Sequence, residues 1–193
     1  MILNRAMTLD QQRRTEGLVA LALFALTIPA ANWLIGNAGT VCVPNGPCLV
    51  PVAPGIAAPS GVLMIGLALV LRDIVQRRLG PVAGLGAIAV GAAISAFLAP
   101  SAIVLASVAA FLLSELADFA VYTPLQRRRF VTAVVASSIV GLIVDSIVFL
   151  WLAFGSLDFV AGQIIGKAWM VLFALPLMHL LRRRDERLGL MPA

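Results

Sequence analysis

Thirteen of the chain's fourteen Lys and Arg residues fall in four short clusters, separated by long apolar runs. The clusters are Arg5/Arg13/Arg14, Arg72/Arg77/Arg78, Arg127/Arg128/Arg129 and Arg182/Arg183/Arg184/Arg187. The fourteenth, Lys167, stands alone inside an apolar stretch. Positive loops stay on the cytoplasmic side, because the membrane potential and the anionic inner leaflet oppose their translocation. With all four clusters on that side, an even number of crossings separates each from the next. The simplest solution is an all-α integral membrane protein of six transmembrane helices with both termini cytoplasmic.

Composition agrees. Hydrophobic residues make up 61% of the chain, charged residues 12%, and the mean hydropathy is +1.03. A soluble domain has about twice that charged fraction. The net charge of +5 could suit nucleic acid, but the basic residues flank apolar segments and are not laid along a solvated face. They are topology signals, and no nucleic-acid partner is expected.

A helix needs about twenty apolar residues to cross the hydrocarbon. The run 17–36 is the first, followed by an uncharged Gly- and Pro-rich external loop over 37–59. The return run 60–71 is short, so the crossing is expected to begin near Pro54. Runs 81–98, 102–121, 130–154 and 159–181 complete the set, with external turns at 99–101 and 155–158. The organisation is thus a cytoplasmic tail 1–16, one transmembrane domain 17–181 and a basic cytoplasmic tail 182–193. Pro29-Ala30-Ala31 could mark a signal-peptide cleavage site, but the run is long for a signal peptide and reads as a retained helix. Cys42 and Cys48 flank Pro-Asn-Gly-Pro in the external loop, turn chemistry that permits a disulfide in an oxidising compartment. Zinc would lack further ligands, since the single His, His179, is distant in sequence.

Charge inside the hydrocarbon requires a partner, a wet cavity or a function. Glu115, Asp118, Asp145 and Lys167 are the candidates. Counted from the external helix ends, Asp145 and Lys167 both lie about 10–12 Å deep on consecutive antiparallel helices. A direct or ligand-bridged pair follows. Gln163 shares the Lys167 face, Ser146 adjoins Asp145, and Asn32 lies near the outer end of the first helix. Helix packing through Gly162 and Gly166 is the plainer role for such charges, yet three acids against one base leave charge that packing does not explain. Trp33 and Trp151 suit the interfaces, whereas Phe149 and Trp169 could stack on a flat ring or simply pack. Enzyme signatures are missing. The segment 162–168 resembles a phosphate loop but is one residue short and lacks the Ser/Thr. A carrier without a cofactor or metal fits better than a catalyst.

Four segments share a further likeness. They are 72–80 (RDIVQRRLG), 114–125 (SELADFAVYTPL), 137–146 (SSIVGLIVDS) running to Ser156, and 162–170 (GQIIGKAWM). Together they resemble the VUT family of vitamin uptake transporters, associated with queuosine precursors. The resemblance implies a six-helix bacterial inner-membrane protein that imports 7-cyano- or 7-aminomethyl-7-deazaguanine or a related deazapurine base. It also implies Arg72, Asp73, Glu115, Asp118, Asp145, Gln163 and Lys167 as the family's polar positions. Many members carry an acid where this chain has Gln76 and an aromatic where it has Leu79. Two other readings stay open: a substrate-capture subunit for an energy-coupling ATPase complex, and a structural membrane protein. Homo-oligomerisation is open as well.

Overall fold

Thr8 begins the first helix: its hydroxyl accepts from the Gln11 backbone N–H while the Gln11 side chain accepts from the Thr8 N–H. This reciprocal cap satisfies two of the helix's orphan donors, and it starts α1 (Leu9–Asn37) well before the apolar run does. The computed structural model describes residues 8–44, 47–99 and 104–189. Arg5, the loop residues Asn45 and Gly46, and Pro100, Ser101 and Ala102 of the expected turn and span lie outside them. Five more helices follow: α2 (Val62–Leu79), α3 (Pro81–Leu98), α4 (Val104–Leu125), α5 (Phe130–Phe154) and α6 (Val160–Leu188).

Helix makes up 80% of the structure. Among the described residues, all helices but α2 are long and apolar enough to cross a membrane, five in number. Their outward faces carry large apolar side chains, with Phe97 89% and Val82 83% exposed. An apolar exterior of this extent suits lipid.

The second helix departs from the expectation. It does not begin near Pro54, because Pro54 and Gly55 form the turn of a β-hairpin, with Gly55 at φ 73°. The Gly- and Pro-rich loop folds as a three-stranded antiparallel sheet of β1 (Val41–Cys42), β2 (Cys48–Ala53) and β3 (Ile56–Pro59). Cys42 pairs with Cys48 in register, and the two form a disulfide. Alternation of Val, Ala and Pro with Gly turns is a strand pattern, obscured in the sequence by the high proline content. Val52, Ala58 and Val62 form a small apolar cluster under the sheet.

From Ala68 to Arg78 every residue of α2 is buried, so this helix is the centre of the bundle. It packs against each of the other five helices. Its approach to α6 is backbone to backbone: a Cβ on Gly66 would lie 2.3 Å from the Lys167 carbonyl oxygen. Gly162 and Gly166 serve a related purpose, admitting the Ala57 backbone of β3 and the Val62 side chain. The small residues of α6 thus receive the sheet and α2.

The basic segment after residue 181 is helical. Arg182, Arg183, Arg184 and Arg187 belong to α6, which runs on to Leu188 and stops at left-handed Gly189. Arginine is a good helix former, and between Pro176 and that glycine the helix has neither Gly nor Pro. At this end Asp185 accepts from Arg77 Nε and Nη2 and from Arg78 Nη1 and Nη2, at 2.8–3.0 Å. Glu16 lies 3.0 Å from Arg78 Nε and 2.6 Å from Arg184 Nη2. Arg77 and Arg78 are therefore buried ties between α1, α2 and α6, not part of a solvated loop.

Candidate functional site

A cavity of about 490 Å³ occupies the half of the bundle away from Asp185, Arg77 and Arg78. All six helices contribute at that end. Ile28, Ile35, Met64, Ile65, Phe111 and Phe149 give it largely apolar walls. Its polar groups include Asn32, Ser114, Glu115, Asp145 and Gln163. Few polar groups in an apolar cleft of this size are the usual make-up of a small-molecule site.

Asp145 and Lys167 meet. Lys167 is fully buried, and its Nζ donates to Asp145 Oδ2 at 2.5 Å, Gln163 Oε1 at 2.7 Å and Ser146 Oγ at 2.8 Å. All three ammonium protons are thereby placed. The close approach at Gly66 seats this stretch of α6 against α2, and Ser146 follows Asp145 on α5. Asp145 commits only Oδ2 to the lysine and still lines the cavity.

Beside this pair lies a second ionic centre, whose organiser the topology reading misassigned. Arg72 belongs to no loop cluster: it is wholly buried in α2. Its Nε donates to Glu115 Oε2 at 3.0 Å, its Nη1 to Gln76 Oε1 at 3.0 Å, and its Nη2 to Asp118 Oδ1. Asp73 Oδ1 is 3.0 Å from Nη1. Phe119 and Tyr122 flank the guanidinium at 5.8 and 5.9 Å from their ring centres. The count of three acids against one base is thus corrected to four acids and two bases, in two groups. Glu115 belongs to both the cavity wall and the Arg72 group, committing Oε2 to the arginine.

The other sequence candidates divide. Phe149 lines the cavity, and Asn32 does so while its Nδ2 donates to the Ile28 carbonyl at 2.9 Å. Arg72, Asp73 and Asp118 lie behind the wall. Trp169 is not brought to the cavity: it is 44% exposed, stacks on Phe173, and donates from Nε1 to the Val52 carbonyl at 2.8 Å, holding the sheet on α6. Reasoning from sequence missed Ser137, whose hydroxyl donates to Asp73 Oδ2 at 3.3 Å, and Tyr122, whose hydroxyl donates to the Asp73 carbonyl at 3.1 Å. Tyr122 is the chain's single tyrosine, which was the available signal.

Residues 92–181 match the family model described as "Putative vitamin uptake transporter". The match covers less than half of the chain and agrees with the VUT resemblance of the sequence segments. It spans α4 and α5 completely and carries Glu115, Asp118, Asp145, Gln163 and Lys167; Arg72 and Asp73 lie before it. With the five apolar helices it supports a multi-pass membrane protein. No curated protein and no solved structure gives a match.

Proposed function

We propose that this protein imports queuosine precursors, 7-deazaguanine bases, across a bacterial inner membrane. The observation that carries the reading is an apolar cavity whose inner wall presents two carboxylates, Glu115 and Asp145, beside the amide of Gln163. A deazaguanine offers a ring N–H and an exocyclic NH₂ side by side, and a carboxylate accepts such a pair. Its carbonyl oxygen needs a donor. Lys167 has its three protons on protein groups, so the Gln163 NH₂ is the better placed donor, with Lys167 holding Gln163 and Asp145 in position. Phe149 or Phe111 would cover a ring face. Desolvated polar groups of this kind reject analogues that leave them unpaired.

Uptake of radiolabelled 7-cyano-7-deazaguanine by proteoliposomes containing only this chain tests the proposal. Saturable uptake, competed by unlabelled 7-aminomethyl-7-deazaguanine and not by adenine, is expected. A requirement for added ATPase subunits would favour the capture-subunit reading instead.

The same reading makes α2 the sixth crossing, its charges shielded by the helices around it. Both termini are then cytoplasmic, and the cavity faces outward. Topology reporters fused after Leu188 and inserted within 37–59 should report opposite sides, and the same side for both would sink the arrangement. Delivery to the cytoplasm further requires the Asp185 tie between Arg77, Arg78 and α6 to open.

A further inference from the structure

Resting on the import reading, we propose that the Asp73 and Asp118 carboxyl groups form a proton-binding pair that couples import to proton entry. The pair lies behind the cavity wall on neighbouring helices, both residues with no exposed surface. Their carboxyl groups flank one guanidinium, Asp73 Oδ1 lying 3.0 Å from Arg72 Nη1 and Asp118 Oδ1 accepting from Nη2, and the Ser137 hydroxyl donates to Asp73 Oδ2 at 3.3 Å. Two carboxylates cannot satisfy each other without a proton, since each is an acceptor only.

The donor count points the same way. Arg72 directs Nε to Glu115, Nη1 to Gln76 and Nη2 to Asp118. Asp73 Oδ1 is near Nη1 but out of line for a hydrogen bond, and both Asp73 Oδ1 and Asp118 Oδ2 are buried acceptors with no donor among the described residues. Buried acceptors almost always have a partner, so the network is short of a hydrogen. Charge repeats the deficit. Asp73, Glu115 and Asp118 surround one guanidinium, and fully ionised they would leave an uncompensated negative charge in low dielectric, an expensive state. A proton shared by the pair offsets part of that charge and gives the acceptors a donor.

The groups facing the pair come from few elements. Arg72 is on its own helix, Glu115 and Tyr122 are on α4, and α5 brings Ser137 and, past Glu115, Asp145. Lys167 on α6 faces Asp145. The charged residues of α1 stop at Glu16, near the arginine end, and α3 has none. Glu115 links pair and cavity: it lines the cavity and accepts from Arg72 Nε. Ligand donors that bind its carboxylate hold Glu115 ionised, and that negative charge beside Asp73 and Asp118 favours retention of their proton. Ligand and proton thus influence each other's binding reciprocally. The proton enters from external water with the ligand and leaves to the cytoplasmic side, and no other group changes.

Proteoliposomes with the membrane potential clamped at zero and labelled 7-cyano-7-deazaguanine test this. One proton per substrate gives about a tenfold accumulation for each unit by which the external pH lies below the internal pH. Accumulation at that level, reduced to near equality in Asp73→Asn and Asp118→Asn, is expected. Exchange of label without any response to the gradient overturns the proton proposal and leaves the import reading standing. Absence of label movement in both directions overturns both. Accumulation undiminished in the folded variants also overturns the assignment to this pair. Should the variants fail to fold, infrared difference spectra of the wild type on adding the base decide it. A changed carbonyl band of a protonated carboxyl is expected, and none overturns the proposal.

Discussion

Asp145→Asn and Lys167→Met will each cost roughly 3–5 kcal/mol of stability, the usual penalty for leaving one member of a buried ion pair without its partner. The magnitude follows from burial: Lys167 has no exposed surface, and Asp145 is 6% exposed. Lys167→Met also removes the donor from Gln163 Oε1 and Ser146 Oγ. The double variant removes both charges, so its unfolding midpoint should recover most of the loss. Uptake should not recover with it. Asp145 lines the cavity, and its carboxylate, not its packing, is the group a deazaguanine donor edge requires. Chemical unfolding of the three purified variants, paired with uptake of labelled base, separates the two roles. Normal transport by the folded double variant would reduce the pair to a tie between α5 and α6, and the ligand would then have to be read by Glu115.

A constant helical rise and the positions of the helix ends suffice to bring Asp145 level with Lys167, and both are legible in an apolar sequence. Gln163 and Ser146 follow from helical periodicity and adjacency. Arg72 could not be placed this way. In sequence it is the first member of a cluster with Arg77 and Arg78, and clusters of that kind mark loops. What reverses the assignment is tertiary: α2 is surrounded on all sides, so its charges meet Glu115, Asp118 and Asp185 and never reach water. A one-dimensional hydropathy profile assumes that each helix faces lipid. That assumption fails for the helix at the centre of the bundle, which is also why α2, with Arg72, Asp73, Arg77 and Arg78 in it, is the one helix too charged to read as a span. The sheet over 41–59 was hidden for a different reason. Strand pairing is non-local, and proline at Pro47, Pro51, Pro54 and Pro59 reads as loop until the hairpin around Gly55 supplies the register. For Trp169 the sequence supplies only a depth, and depth carries no information about which way a side chain turns around its helix.

Arg72→Met should be the most damaging single change in the chain, and Arg128→Ala among the least. Sequence alone puts both arginines in clusters of the same kind. Arg128 is exposed, and a surface substitution of that sort stays within about 0.5 kcal/mol. Arg72 is the one cation among Asp73, Glu115 and Asp118. Removing it strands three buried carboxylates at once, and the loss should exceed the roughly 3–5 kcal/mol of a single broken pair. Arg72→Met is therefore expected to fail to accumulate as folded protein. Arg72→Lys keeps the charge but loses the planar fork that reaches Glu115, Gln76 and Asp118 together, so it should fold with reduced stability. Combining Arg72→Met with Glu115→Gln and Asp118→Asn lowers the stranded charge and should restore folding in part, without restoring uptake. Fluorescence-detected size-exclusion chromatography of the four proteins against temperature reads all of these outcomes. If Arg72→Met matches Arg128→Ala in melting behaviour, Arg72 is not the organiser of this core, and the charges around it must be compensated from elsewhere.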